Sequence, residues 1–146
     1  MQVLKPCFLF LLLCFFSSCG GEPRLLGKWV FDRPYTEAQL PKQLGSQKQS
    51  TFEEMQQQLA ASLIPVLIGK LDGMTVTFTS KEMIVTTKEG SGQALTYEIL
   101  ERPTADSWRI KKSDGKVETY YREGERLASD ASGDIRMRVY LKRGAQ

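Results

Sequence analysis

From Gly73 to the end of the last strand, apolar residues recur at every second position, and no other feature limits the fold of this chain as much. Met74, Val76 and Phe78 alternate with Thr75, Thr77 and Thr79, the pattern of a strand with one buried face. Ser80-Lys81 is a tight connection to a strand over residues 82–87. Beyond the loop Glu89-Gly90-Ser91-Gly92, Leu95, Tyr97 and Ile99 alternate again. Residues 103–106 turn the chain into a strand carrying Trp108 and Ile110. Asp114-Gly115 is a strong hairpin signal, followed by a strand carrying Val117, Thr119 and Tyr121. Gly124 marks another hairpin before a short strand at 126–129. Ile135, Met137, Val139 and Leu141 then alternate with Arg136, Arg138, Tyr140 and Lys142. With a first strand over 25–31, rich in Leu, Trp, Val and Phe, the chain holds about eight strands joined mainly by short turns. Such a series is an antiparallel meander, and closing it removes its open edges. The expected fold is mainly β, a single antiparallel meander β-barrel with a helical insertion between strands one and two.

The insertion occupies residues 35–71. Asp32-Arg33-Pro34 reads as the turn that ends the first strand. A first, weaker helix is expected over 36–44 and a second over 51–68, with Ser50 and Glu53 spaced as a capping box. Phe52, Met55, Leu59 and Leu63 recur at spacings of three and four, one apolar stripe. Pro65 is expected to kink or end this helix. Around it Leu63, Ile64, Val66, Leu67 and Ile68 are apolar on every side, so barrel, ligand, partner or lipid must cover the segment. Glu53 and Glu54 diverge by about 100° on a helix, so they do not form a catalytic pair.

The amino-terminal residues belong to a different problem. Lys5 precedes an apolar run over residues 7–16, about half the roughly 20 residues that a membrane-spanning helix needs. That run fits the hydrophobic region of a signal peptide. Phe16-Ser17-Ser18-Cys19 resembles the lipobox of bacterial lipoproteins. The resemblance implies a leader over 1–18, lipid on Cys19 (diacylglycerol on the thiol and an acyl chain such as palmitate on the amine), and a tether over 19–24. The folded domain is then 25–146. Gly20, where many inner-membrane lipoproteins have aspartate, implies the outer membrane of a bacterial cell envelope, facing the periplasm. The cysteines Cys7, Cys14 and Cys19 all lie in this segment, so the domain has no disulfide and must stand on an apolar core.

Composition removes several function classes. Lys and Arg number 20 against 17 acids, too balanced for a nucleic-acid partner. With no histidine in the chain, a histidine general base, a Ser-His pair and a histidine-bound metal are all excluded. No phosphate-binding Gly-rich loop, nucleophile elbow or EF-hand spacing occurs. Neither a catalytic constellation nor a metal or cofactor site is expected, so the chain reads as a non-enzyme.

Leu25-x-Gly27-x-Trp29 on the first strand resembles the Gly-x-Trp signature of lipocalins, and the whole order of elements is similar to bacterial lipocalin-like lipoproteins. The resemblance implies that Trp29 plugs the base of the barrel, with Lys142 or Arg143 packed across it. It further implies a small apolar or amphipathic ligand inside. Helix 51–68 would be the lid, as the helical pair is in the similar fatty-acid-binding proteins. Phe52, Met55, Leu59, Leu63 and Leu67 would then face Val76 and Phe78, with Tyr97 and Tyr121 offering hydroxyls to a head group. The alternative is an envelope interaction module, such as an inhibitor or assembly factor, whose barrel is filled by Trp29, Phe31, Phe78, Tyr97, Trp108 and Tyr121. A cavity, or its absence, separates the two. The basic stripe Arg136, Arg138 and Lys142 suits either anionic lipid head groups or a solvated strand face.

Overall fold

Eight strands form, each where alternation and turn signals place one. The computed structural model describes residues 22–45, 62–130 and 137–145. Strand β1 is Gly27–Phe31, followed by helix α1, Arg33–Gly45, and a second helix, α2, described over 62–71. Then come β2 Thr75–Phe78, β3 Glu82–Thr86, β4 Gly92–Glu101, β5 Ser107–Lys112, β6 Val117–Glu123, β7 Arg126–Asp130 and β8 Arg138–Arg143. Every strand pairs antiparallel with its sequence neighbour, and β8 returns to β1 through Trp29↔Arg143, Val30↔Lys142 and Phe31↔Leu141. The sheet is a closed barrel without a free edge.

Strand direction sorts the barrel into two ends. Strand β1 runs from the base, at Gly27, to the mouth, where both helices connect it to β2. The hairpin between β5 and β6 therefore sits at the mouth, and the one between β6 and β7 at the base. Inward side chains at the base and middle form the core: Trp29, Phe78, Trp108, Ile110 and Leu127 are all essentially inaccessible to solvent.

The first helix begins at once after β1, so Asp32-Arg33-Pro34 is a helix start and not a free turn. Asp32 caps it, accepting the Tyr35 amide on Oδ1 at 3.4 Å and the Thr36 amide on its carbonyl at 2.9 Å. Pro34 falls in the first turn, where its missing N–H costs nothing. Where β1 gives way to α1, the helix takes over the exposed backbone of β8. The Tyr140 amide donates to Thr36 Oγ1 at 3.1 Å, and the Arg138 amide to Gln43 Oε1 at 2.9 Å. Tyr140, on the outer face of β8, is covered edge-on by Tyr35 at 4.9 Å between centroids. Thr36 is fully buried, so Thr36→Val is expected to leave the Tyr140 amide without its partner and to cost about 1–3 kcal/mol of stability. Urea denaturation of the variant measures this, and a midpoint equal to the parent's would mean that the amide finds another acceptor.

Helix α2 does not end at Pro65; it continues to Leu71. Ile64 and Ile68 are buried against the barrel mouth, and Leu67 and Leu71 pack beside them. Pro65 is the fourth described residue of α2, and the burial of Ile64 and Ile68 holds the helix on past it. The expected lid positions Phe52, Met55 and Leu59 lie outside the described residues.

A second departure changes which residues point inward. A two-residue turn at Asp114-Gly115 would set Val117, Thr119 and Tyr121 opposite Lys112, Ile110 and Trp108. The observed loop has three residues. The Gly115 amide bonds the Lys112 carbonyl at 2.9 Å, Gly115 takes the left-handed φ of 85°, and the Lys112 amide bonds the Lys116 carbonyl. The register becomes Ile110↔Glu118 and Trp108↔Tyr120. One residue of slip exchanges the two faces of β6. Tyr121 is therefore on the outside, and Glu118 and Tyr120 are inside.

Candidate functional site

At the mouth, between α2 and the inner wall of the barrel, lies a cavity of about 430 Å³. That is within the range of small-molecule pockets, about 300–1,000 Å³. Leu67 and Leu71 of α2 form its roof, and Val76, Val85, Val139 and Leu141 its sides. Met74, Met83 and Met137 complete the apolar lining. Methionines adapt to irregular contacts better than branched residues, which suits a surface that must close around a guest.

Apart from Lys70 of α2, exposed at the rim, the polar groups enter from one side. Lys112, at the mouth end of β5, and Glu118, near the start of β6, both point inward because the three-residue hairpin aligns them. The Lys112 ammonium pairs with Glu118 Oε1 at 2.5 Å, with side chains only 8% and 15% exposed. The Tyr120 hydroxyl donates to Glu118 Oε2 at 2.8 Å and lies 3.6 Å from Met83 Sδ. Burial, and then the Glu118 charge, raise the Tyr120 phenol well above its ordinary pKa, so it remains a neutral donor. Ser129 and Asp130 of β7 close this side. Asp130 is held from outside by Arg138 Nε at 2.9 Å.

The base is sealed by a different device. Trp29 is completely buried, and its indole N–H donates to the Leu25 carbonyl at 2.9 Å. Of the two basic residues that end β8, Arg143 packs across it, the guanidinium 4.0 Å from the ring centroid. The guanidinium donates to the carbonyls of Leu26 and Arg24. Gly27 makes room: its φ is 111°, and a Cβ built there would stand 2.6 Å from Arg143 Nη1. Gly27, Trp29 and Arg143 are thus one unit, in which the exposed Arg143 side chain covers the fully buried indole from the outside.

The residues expected to bind a ligand scatter. Leu67 and Val76 line the cavity. Leu63 is 42% exposed and turns away from the barrel. Phe78 sits deeper in the core, edge-on to Tyr97 at 5.6 Å and to Tyr120 at 5.3 Å. The Tyr97 hydroxyl is taken by the Thr79 carbonyl at 2.7 Å, toward the base. Tyr121 lies under the Arg138 guanidinium, 4.8 Å away, on the outer wall. Of the basic outer stripe, Arg136 lies outside the described residues, Arg138 is engaged by Asp130 and Glu123, and Lys142 is exposed.

Lys112, Glu118 and Tyr120 were not foreseen as site residues. Lys112 shares a face with Trp108 and Ile110 by simple alternation, a readable signal for an inward lysine. The other two became inward only through the hairpin register. No protein-family model, no curated protein and no solved structure matches this chain.

Proposed function

We propose that this protein is a lipid-anchored carrier whose barrel holds one small amphipathic molecule at its mouth. The observation that supports this is the cavity: apolar on most sides, with Lys112, Glu118 and Tyr120 converging on the remaining one. An apolar pocket with a few placed polar groups is the usual form of a small-molecule site. The likeness to lipocalin-like lipoproteins is supported by Arg143 lying across Trp29 next to Gly27. The anchor rests on the lipobox-like residues before Cys19.

The carrier reading is tested with a neutral environment-sensitive dye such as N-phenyl-1-naphthylamine. Its fluorescence should rise on binding the parent, and Leu67→Ser should weaken the affinity by roughly tenfold, since a leucine contact contributes about 1.5 kcal/mol or more. Leu63→Ser should bind the dye like the parent. A parent that neither binds the dye nor retains a small molecule in native mass spectrometry is not a carrier.

For the anchor, Cys19→Ala should move the protein from the membrane to the soluble fraction without changing its circular dichroism, because several buried acyl chains hold a protein almost permanently. Retention of the variant on salt-washed membranes would assign the anchoring to something other than lipid on Cys19.

A second reading, a contact surface for another envelope protein, is favoured by Leu63 and Val66. These lie on the outer side of α2 at 42% and 55% exposure. It becomes the first reading if the dye test fails.

A further inference from the structure

We infer that the molecule held at the mouth is an uncharged amphiphile whose carbonyl or ester oxygen accepts a hydrogen bond from the Lys112 ammonium. This rests on the carrier reading and names the ligand class for the same cavity.

Hydrogen-bonding capacity on the polar wall is used unevenly. Glu118 spends one oxygen on Lys112 and the other on the Tyr120 hydroxyl. Lys112 has three N–H donors and, among the described residues, a single partner, Glu118. What the Lys112–Glu118–Tyr120 cluster still offers a guest is therefore donation from Lys112. An oxygen acceptor fits that offer, and an unaccompanied hydrocarbon leaves it unanswered.

Charge decides which acceptor. Of the ionisable groups that line the cavity, Lys112 is paired with Glu118 and Asp130 with Arg138, and Lys70 lies exposed on α2 at the rim, away from that wall. Lys112 is already neutralised at contact distance. A carboxylate or phosphate entering here would add net negative charge between apolar walls and beside Glu118, and removing an ion from water costs several kcal/mol when nothing compensates it. A neutral carbonyl gains the same bond without that penalty. The size of the cavity sets the rest: 430 Å³ is on the order of 14 water volumes at about 30 Å³ each, room for an apolar body of roughly a dozen non-hydrogen atoms.

A purely structural role for the pair does not account for its place. Filling the barrel would call for apolar side chains, and a buried ion pair is often no more stabilising than those. At the mouth, against the void, its donors are where an entering molecule meets them.

The test compares two molecules with equal numbers of non-hydrogen atoms, methyl undecanoate and dodecanoate, as competitors for the bound naphthylamine dye. At about pH 8, far above the usual carboxylate pKa of roughly 4, the acid is ionised. The ester should displace the dye at a concentration at least about tenfold lower, the scale of one hydrogen bond to a charged group. Glu118→Gln frees the Lys112 charge and should reverse the order, so that dodecanoate binds more tightly than the ester. Replacing both residues, Lys112→Met with Glu118→Leu, removes the donor and should weaken the ester about tenfold relative to the dye's own affinity for that variant. Equal ranking or a preference for dodecanoate by the parent overturns the inference, as does an unchanged ester affinity in the double variant. If Glu118→Gln does not fold, the parent ranking and the double variant still decide. Failure of the dye to bind, together with no small molecule retained in native mass spectrometry, removes the carrier reading itself, whereas dye binding with the wrong ranking removes only the ligand class.

Discussion

Trp29→Ala should lower the stability of the domain by about 3–5 kcal/mol, the cost of removing a large buried aromatic whose space cannot collapse. The indole is fully buried and satisfies its own N–H on the Leu25 carbonyl. Its upper face also supports the Arg143 guanidinium, whose bonds to Leu26 and Arg24 hold the chain entering β1. Deleting the ring therefore empties the base and releases the strap across it. The expected reading is a urea midpoint lower by roughly 2 M, given slopes of about 1–3 kcal/mol per molar for small domains. Arg143→Ala, which leaves the ring in place, should cost only about 0.5–2 kcal/mol. If the two variants unfold together near the parent midpoint, the base is not the tightest part of the fold.

The second large effect belongs to Lys112 and Glu118. Either Lys112→Met or Glu118→Leu alone leaves one charge without its partner in a mostly apolar interior, and should destabilise by about 3–5 kcal/mol. Because the pair borders the cavity, values at the lower end are expected. Changing both together should return stability to near the parent's, since neither charge of the pair is then left without its partner. The cycle of four proteins measures a coupling of several kcal/mol, far above what an exposed pair gives. Additive losses in the double variant would show that the two side chains act independently, contrary to their contact.

How much of this was legible in the sequence depends on which physical scale sets each feature. Strands were legible because alternation is local: the Thr75–Phe78 pattern needs only a core on one side. Barrel closure followed from short connections between consecutive strands. The choice of Arg143 over Lys142 was not legible, because it depends on the β1–β8 register and on the space left by Gly27. The inner face of β6 was misread for a similarly small reason. Val117-Glu118-Thr119-Tyr120-Tyr121 carries a tyrosine in both phases, so side-chain character does not choose between them. The loop length does, and Asp114-Gly115 is compatible with two residues or three. Pro65 was read by its local effect alone, whereas the helix carrying it is held on the mouth as far as Leu71 by Ile64 and Ile68. The site therefore escaped attention where one residue of register turned Glu118 and Tyr120 inward.

The polarity of β1 has a consequence for delivery. The residues before it lie at the base, where Arg24 and Leu26 accept from Arg143, and the Gly144 amide returns to the Lys28 carbonyl at the same end. Whatever holds the segment preceding residue 22 thus holds the cup by its closed end. For a protein tethered to a bilayer there, the opening lies at the opposite end of the barrel from the tether, about one five-residue strand, roughly 17 Å, along the chain from it. A guest would then arrive through water or from a facing surface, and could not slide in from the leaflet below. For a carrier held this way transfer would be directional, and the guest's own solubility would limit how long its apolar chain can be.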